Sequence, residues 1–399
     1  MKKSQRFIEL DFMRAVSALW VILTHLWVLH LLPFALKFNP PKNEVLGINM
    51  GKVLELGFEQ FFPLPLTNFG NFTFDILNIF CGLGYQSVHI FFVLSGFGLT
   101  YSKLLKPNDT WFVFLKKRFL RIYPTYFIVW ILWIIITFLD KPSFHIPWKG
   151  FLFIGERVPF TWFIIPIFQF YIAFPIIFYL LKRYSVLRFL ITMFLVKCIW
   201  TLVVIIYGYL HYNRLLGSTF YPGYLAISRL FEFSLGMAAA KIFFEDNEKL
   251  IKYLTNLKVI GLAFVCEVIG TMITFLKIDL FNHKLPIGLA ICDALIGFGL
   301  FVIVFNLSRL IVNLNPNTSK IILFISKFSY ELYLCQFIAL LLITYIVEFL
   351  NPVYPSLIML LTIPIYSLAV GIDILASILV QKIILVLTSK LSGSPRASV

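Results

Sequence analysis

Long apolar runs recur from one end of the chain to the other, and each is about as long as the hydrocarbon core of a bilayer requires. Stretches rich in charged residues, Pro, Asn and Gly separate these runs, as is typical of loops. A backbone that crosses lipid must satisfy its hydrogen bonds internally, so each run predicts one membrane-spanning α-helix. The ten predicted spans are residues 11–32, 84–102, 122–139, 160–181, 187–209, 221–244, 257–276, 286–307, 326–349 and 356–387.

The start of the chain and its longest connection complete the predicted organisation. Residues 1–6 are basic and precede an apolar run, as in a signal peptide, but Asp11 and Arg14 interrupt that run and no small-residue cleavage site follows. We therefore expect an uncleaved first span. Residues 33–83 form the longest predicted loop, which is irregular and contains a Phe-rich stretch. One transmembrane domain is expected over 1–399, with the helical bundle at about 6–387 and a cytoplasmic tail at 388–399.

Composition supports a membrane protein and argues against a soluble globule. Hydrophobic residues make up 60% of the chain and charged residues 13%, about half the share of about 25% in soluble domains. The predicted fold class is therefore all-α, a polytopic membrane protein. The 5 cysteines lack C-x-x-C spacing and the 6 histidines lack ligand spacing, so we expect neither disulfides nor a metal.

The distribution of positive charge predicts the orientation of the helices. With the N-terminus placed inside, the predicted cytoplasmic segments hold 21 of the 34 Lys and Arg residues, against 9 in the outer segments. This asymmetry predicts that both termini are cytoplasmic. It also accounts for the formal charge of +15 as a topology signal, so nucleic acid is not an expected partner.

Arg14 and His25 are the first candidates for chemistry, because charged groups inside a span are costly and often functional. Eleven residues of helix return to nearly the same face, so both side chains share one face about 16 Å apart along the axis. Asp11 lies three residues before Arg14 and is spaced to hold its guanidinium. In the functional interpretation Arg14 binds an anionic donor and His25 is a general base. The alternative is a cationic anchor and a hydrogen-bonded packing residue.

Two segments combine small or basic residues with predicted spans. Ser95 and Gly96 make a thin stretch that serves either close helix packing or a narrow acyl passage. Arg118 and Arg121 lie one helical turn apart at a predicted cytoplasmic entrance, just before Tyr123. They suit phosphate groups in one interpretation and membrane anchoring in the other.

The remaining polar candidates lie in six later spans. Trp162, Gln169 and Tyr171 lie near a predicted outer interface, where aromatic belt residues are the ordinary interpretation. Arg229 and Glu232 are spaced for a mutual ion pair. Tyr330 and Gln336 belong to a polar cluster that opens the ninth span. Three further intramembrane carboxylates have no evident partner in the sequence: Glu267, Asp293 and Asp373.

These segments, in this order, resemble the acyltransferase-3 family of membrane O-acyltransferases over about residues 6–387. The most specific likeness is the first span, where Arg14 and His25 match the family signature of Arg, ten residues and His. The segments Phe91-Phe92-Val93-Leu94-Ser95-Gly96-Phe97, Arg121-Ile122-Tyr123-Pro124 and Ser329-Tyr330 with Tyr333-Leu334 also look like family motifs. Each motif alone is weak, and their order in a ten-span chain makes the resemblance specific.

The resemblance implies ten helices and transfer of an acyl group, acetyl in the first instance, from cytoplasmic acyl-CoA to a hydroxyl of a cell-envelope or exported glycan. It implies His25 and Arg14 as the catalytic pair. It implies a donor side of Arg118, Arg121, Tyr123, Ser95 and Gly96. The acceptor side then holds His89, Trp162, Gln169, Tyr171, Tyr330 and Gln336, and structural support comes from Asp11, Arg229 and Glu232.

The expected location is the bacterial plasma membrane, with acyl-CoA as substrate, no bound cofactor, and membrane lipid and the glycan acceptor as partners. Three departures from the family pattern bear on the acceptor side. Family members often have Asp at the position of His89, often have Glu soon after the Trp162 position, where this chain has Ile167 and Phe168, and often have His at the position of Gln336. The second hypothesis is an exporter or flippase of polysaccharide or lipid-linked sugar, which would use Arg14, Lys197, Arg229 and Glu232 along a polar path.

Overall fold

The computed structural model describes residues 7–27, 79–140, 162–211, 225–275, 286–314, 318–350 and 362–392. Within these residues the chain is helical and contains no strand, which confirms the all-α class. The helices are α1 Ile8–Leu26, α2 Ser87–Leu105, α3 Trp111–Asp140, α4 Ile164–Arg183, α5 Val186–His211, α6 Leu230–Glu245, α7 Asn247–Leu254, α8 Leu257–Phe275, α9 Pro286–Leu314, α10 Thr318–Leu350 and α11 Thr362–Ser392. Two 3₁₀ turns, Leu83–Gln86 and Ala226–Arg229, lead directly into α2 and α6.

Each predicted apolar run overlaps one of these helices, but several helices extend beyond their runs. Helix α3 begins at Trp111, well before the predicted start at 122, and α10 begins at Thr318 where 326 was predicted. The extension of α3 contains Lys116, Lys117, Arg118 and Arg121, and because Lys and Arg favour helix, the helix begins in this basic segment before the apolar run. Of the described helices, 7 are long and apolar enough to cross a membrane. The count of ten spans and the orientation stay predictions.

The sequence interpretation missed one short helix. Helix α7 follows α6 after a single residue and lies within a stretch interpreted as a loop. The side chain of Asp246 accepts a hydrogen bond from the backbone N–H of Lys249 and so caps its first turn. Leu250 and Leu254 are buried while the charged positions face outward, which gives α7 one apolar face. An apolar-run criterion overlooks such a helix because its average composition is polar.

The predicted loop at 33–83 lies outside the described residues except for 79–83, and so do residues 393–399 of the predicted tail. The contacts divide the chain into two compact units. Unit 1 comprises Met1–Ala15, Gln86–Phe119 and Trp162–Leu323. Unit 2 comprises Val16–Tyr85, Leu120–Thr161 and Phe324–Val399.

In unit 1 the closest helix contact is the crossing of α2 and α6. A side chain at Gly96 would collide with the backbone carbonyl of Phe233, and one at Gly236 would collide with that of Val93. The two glycines therefore let the two backbones touch, which is the packing that small residues permit in membranes. The Phe233 ring stacks on Phe170 with the centroids 4.0 Å apart, so α4 packs against the same crossing.

In unit 2 the second half of α1 packs against residues 79–85. The indole N–H of Trp20 donates to the backbone oxygen of Phe80 at 2.7 Å, and the two rings stack at 5.4 Å. A side chain at Gly84 would collide with Thr24 and Trp20, so only glycine allows this approach. This packing holds the part of α1 that carries His25.

Candidate active site

His25 is buried in unit 2 and is held by a side chain that is distant in sequence. Its Nδ1 lies 2.7 Å from Oε1 of Gln336 on α10, and the two side chains are 7% and 1% exposed. A carbonyl oxygen only accepts, so the imidazole must donate from Nδ1. In the neutral ring the lone pair is then on Nε2, which is the form that takes up a proton.

The residue before His25 fixes the same turn of α1. The hydroxyl of Thr24 lies 2.7 Å from the backbone oxygen of Cys81 and 2.9 Å from that of Trp20. The first contact joins α1 to the segment before α2, and the second stays within α1. The Thr24–Cys81 and Trp20–Phe80 hydrogen bonds together limit rotation of α1 and so fix the orientation of the His25 side chain.

Arg14 also lies on α1, within the part assigned to unit 1. Its Nη1 is 3.3 Å from Oδ1 of Asp11, one turn earlier, as the spacing predicted. About a third of the Arg14 side chain is exposed, while Asp11 is buried. A side chain added at Gly98 on α2 would come within 3.7 Å of Nη2 of Arg14. Asp11 thus orients a guanidinium that remains accessible beside a thin part of α2.

A second polar site in unit 1 is centred on Glu232, which is fully buried. Its Oε2 lies 3.0 Å from Nζ of Lys197, which is also fully buried. Its Oε1 lies 3.1 Å from Nδ1 of His89 and 3.4 Å from Nη1 of Arg229. Each contact brings a donor to the carboxylate, as burial of a charge requires. The site joins side chains from α2, α5 and α6 with the 3₁₀ turn before α6.

Arg229 links this carboxylate to a second one. Its Nη1 is 2.7 Å from Oδ2 of Asp293 on α9, while the other oxygen of Asp293 lies 3.6 Å from Nε2 of His89. The guanidinium also lies over two rings, 5.7 Å from the centroid of Trp162 and 6.0 Å from that of Phe92. We name the five ionisable residues Lys197, Glu232, His89, Arg229 and Asp293 the charged cluster.

Gln169 and Tyr171 on α4 have different contacts, and only that of Gln169 leads to the charged cluster. The side-chain oxygen of Gln169 accepts from the backbone N–H of Ala226 at 2.7 Å, so it satisfies the first donor of the turn that ends at Arg229. The Tyr171 ring contacts Phe168, with the centroids 6.0 Å apart. Gln169 therefore positions the Arg229 backbone, and Tyr171 belongs to an aromatic contact on α4.

The predicted donor-side residues follow one another along α3. The guanidinium of Arg118 lies 5.3 Å from the ring centroid of Phe114 one turn earlier, and Arg121 is exposed. The Tyr123 ring stacks on Phe127 at 6.4 Å and is partly exposed. These are accessible cationic and aromatic groups, and their contact with a donor stays a prediction.

The loop before α3 is organised by a buried lysine. The ammonium of Lys103 donates to the backbone oxygens of Pro107 and Asp109 and lies 4.6 Å from the Trp111 ring. The Asp109 carboxylate accepts from Lys117 at 2.8 Å. This hydrogen bond, helped by the surrounding positive charge, lowers the pKa of Asp109 below its ordinary value of 3.8. The basic start of α3 is thereby anchored to the end of α2.

The other predicted site residues have local roles in the structure. Close helix packing accounts for Gly96, because the Phe233 backbone occupies the space that a side chain at Gly96 would need. Ser95 beside it is partly exposed. In unit 2 the Tyr330 hydroxyl donates to the backbone oxygen of Ile122 at 3.0 Å. Tyr330 thus joins α10 to α3, two residues before a proline that interrupts the hydrogen bonds of α3.

The intramembrane carboxylates differ in how they are satisfied. Glu267 accepts from the hydroxyl of Thr271 at 3.2 Å, and that hydroxyl accepts from Gln86 at 2.8 Å. Both carboxylate oxygens of Asp373 are buried without a hydrogen-bond partner among the described residues. Searched over the same described ranges, no group of His, Cys, Asp and Glu has the arrangement of a metal site.

The sequence predicted most of the residues in these sites but few of the contacts between them. The structure brings His25 to Gln336, and it brings His89, Arg229, Glu232 and Trp162 into one site. Lys197 had been placed with Arg229 and Glu232 on the polar path of the exporter hypothesis, and Asp293 had been noticed as a carboxylate inside a span, but neither had been assigned these contacts. A charge is costly in lipid, so a charged residue within a span predicts that a partner exists but does not show which residue it is.

Comparison with known proteins identifies the family. A family model described as an acyltransferase domain, that of the acyltransferase-3 family, matches residues 7–379, nearly the whole chain. No curated protein and no solved structure gives a significant match. The match covers both units and all the sites described above, which confirms the resemblance drawn from the sequence. With its apolar helices, the chain belongs to the acyltransferase-3 family and is a multi-pass membrane acyltransferase.

Proposed function

We propose that the protein transfers an acyl group, acetyl in the first instance, from cytoplasmic acyl-CoA to a hydroxyl of a cell-envelope or exported glycan in the bacterial plasma membrane. The observation that carries the proposal is the 2.7 Å hydrogen bond from Nδ1 of His25 to Gln336. It sets the tautomer in which Nε2 carries the lone pair, and this is the form a general base requires.

The reaction needs one proton acceptor and one attacking oxygen. A sugar hydroxyl is a weak nucleophile, so Nε2 of His25 takes its proton as the oxygen attacks the thioester carbonyl. The tetrahedral intermediate then expels the coenzyme A thiolate, which receives the proton from the imidazolium. The products are the O-acyl sugar and free coenzyme A thiol, and His25 returns to its starting form.

Gln336 takes the part of the orienting residue in this mechanism. It is almost fully buried and its Oε1 faces Nδ1, so it resists rotation of the ring and keeps the proton on that nitrogen. Loss of this contact would allow the other tautomer, in which Nε2 carries a proton and is no longer a base. Gln336 therefore positions His25, and a change there acts on turnover more than on binding of either substrate.

The donor side would use the accessible guanidinium groups. Arg14, Arg118 and Arg121 are each at least partly exposed, and planar guanidinium groups match the phosphates of coenzyme A. The proposal assigns no bound cofactor to the protein, because acyl-CoA is consumed as a substrate.

The test measures acylation of glycan and release of coenzyme A thiol by the purified protein in lipid nanodiscs. His25→Ala should lower turnover by roughly 10²–10⁴-fold, the usual contribution of a positioned general base. Gln336→Leu should lower kcat with little change in KM, by roughly the 10–100-fold that loss of an orienting hydrogen-bond partner costs metal-bound histidines. Thr192→Val is the control, since Thr192 is partly exposed on α5 and its hydroxyl bonds to the Arg188 backbone oxygen of the same helix.

The outcome also separates the enzyme from the exporter hypothesis. Acylation that persists in a well-folded His25→Ala protein would remove His25 as the base. In a deletion strain, mass spectrometry of the surface glycan should show loss of O-acyl groups with normal polymer export. Accumulation of polymer inside the cell would instead support export.

A further inference from the structure

The charged cluster of unit 1 has a closed end and an open edge. Lys197 and Glu232 have side chains that are 0% exposed. At the other end the side chains of Arg229 and Asp293 are 14% and 15% exposed, and the indole of Trp162 is partly exposed beside them. The accessible members are thus a donor, an acceptor and an aromatic ring next to one another.

The charges of the cluster cancel. Lys197 and Arg229 supply two cations, and Glu232 and Asp293 supply two carboxylates, each within 3.4 Å of an opposite charge. His89 lies between the two carboxylates and donates from Nδ1 to Glu232. An anionic or cationic ligand would bring an uncompensated charge into a site of low polarity, which is costly. A neutral ligand with several hydroxyl groups avoids that cost.

The geometry points to a binding site for a neutral pyranose ring at the edge formed by Arg229, Asp293 and Trp162. The carboxylate of Asp293 accepts from sugar hydroxyls, the guanidinium of Arg229 donates to hydroxyl oxygens, and the indole covers the apolar C–H face of the ring. The buried Lys197–Glu232 pair holds Arg229 in position, because Glu232 also contacts its guanidinium. The inference rests on the proposed function for the role of the sugar, which is the glycan acceptor.

Binding is tested apart from catalysis. Saturation-transfer NMR with the full-length protein in nanodiscs detects weak binding of three simple probes: neutral methyl glucoside, anionic methyl glucuronide and cationic methyl glucosaminide. Methyl glucoside should give the strongest saturation transfer, and the signal should persist in the His25→Ala protein. A positive result there is independent of whether His25 is the base.

Variants of the edge identify the site. Asp293→Asn keeps the shape but loses the charge that pairs with Arg229, and it should abolish the methyl glucoside signal. Trp162→Leu should abolish it too, and this variant breaks no ion pair, so it keeps the test decisive if Asp293→Asn does not fold. Ser308→Ala is the matched control on α9, because its hydroxyl bonds only to Phe305 of its own helix in the described structure. It should bind like the original protein.

The two proposals fail in different ways. If the protein binds methyl glucoside but does not acylate glycan, the proposed reaction is wrong and the proposed sugar site stands. Unchanged methyl glucoside binding in folded Trp162→Leu protein would overturn the site, as would stronger binding of either charged probe. Absence of any glycoside signal from a protein that acylates glycan would do the same.

Discussion

Replacing Lys197 by Met removes the cation closest to the fully buried carboxylate of Glu232. Lys197 Nζ and Glu232 Oε2 are 3.0 Å apart, and both side chains are 0% exposed. Met has a similar length and no charge, so the substitution deletes the ion pair and creates little empty space. The charged cluster is left with one negative charge in excess.

The cost can be worked out from the distances. At an effective dielectric constant of about 20, charges 3.0 Å apart attract by roughly 5.5 kcal/mol, and the 3.4 Å contact with Arg229 contributes about 5 kcal/mol. The variant keeps the second attraction. Breaking a buried pair costs about 3–5 kcal/mol, so we expect the lower end, a loss of about 3 kcal/mol in the free energy of unfolding.

A reversible titration of the protein in mixed micelles with a denaturing detergent measures this free energy. Lys252→Met is the matched control, because Lys252 is exposed on α7 and its loss should change stability by less than about 0.5 kcal/mol. Lys197→Met combined with Glu232→Gln restores charge balance and keeps an acceptor for His89. The double variant should therefore be more stable than Lys197→Met alone by at least about 1 kcal/mol.

Two results would refute the reasoning. If Lys197→Met is as stable as Lys252→Met, the pair makes no net contribution and the cluster is not a buried ionic core. If the double variant is destabilised by the sum of the two single changes, charge balance is not the reason for the cost. The second result would also weaken the argument for a neutral sugar ligand.

Three further predictions follow from local contacts. Gly96→Ala and Gly236→Ala should each lower the free energy of unfolding by about 1–3 kcal/mol, because the added carbon meets a backbone carbonyl. Gly371→Ala meets nothing within 4 Å and should be neutral or stabilising. The same detergent titration compares the three variants, and equal effects would contradict the crossing of α2 and α6. Thr24→Val should cost about 1–3 kcal/mol and reduce turnover, since it removes the buried hydrogen bond between the Thr24 hydroxyl and the Cys81 carbonyl, one residue from His25. Thr192→Val on an exposed turn should do neither; unchanged stability of Thr24→Val would show that the Thr24 contact is dispensable. Asp109→Asn should destabilise the protein at pH 7, because the pKa of Asp109 is lowered and its stabilising contribution is complete above the ordinary carboxyl pKa of 3.8. The difference in stability should shrink as the pH falls below 3.8 and vanish below the lowered pKa; a difference that does not shrink below pH 3.8 would contradict the role of the Lys117 hydrogen bond.

The helices were predictable because lipid imposes one strong rule on the chain. A backbone without water must bond to itself, so an apolar run of sufficient length becomes a helix whatever its neighbours. The rule gives no information where the helix leaves the lipid, which is why the basic start of α3 and the first turns of α10 were missed. It is also silent on α7, whose two buried leucines alternate with exposed charged residues.

The candidate sites were only partly predictable, and the reason is sequence separation. Asp11 with Arg14, and Arg229 with Glu232, are one helical turn apart, so spacing alone predicts these contacts. Lys197 and Glu232 are separated by 35 residues, and His25 and Gln336 by 311. No local pattern connects such residues. The cost of a buried charge or an unpaired imidazole indicates that a partner is required, and only the packing of helices supplies it.

The departures from the family pattern make physical sense at the two positions where the structure shows their surroundings. Family members often carry His at the position of Gln336, and what His25 needs there is an acceptor for its Nδ1 proton; the carbonyl oxygen of Gln336 is one, at 2.7 Å. At the position of His89 family members often carry Asp. Here that residue faces Glu232 on one side and Asp293 on the other, so a third carboxylate would exceed the two cations of the cluster. An imidazole donates a hydrogen bond to Glu232 and adds no further negative charge. His89 is therefore matched to the carboxylates around it, and its replacement by Asp would require the loss of one of them or the gain of a cation.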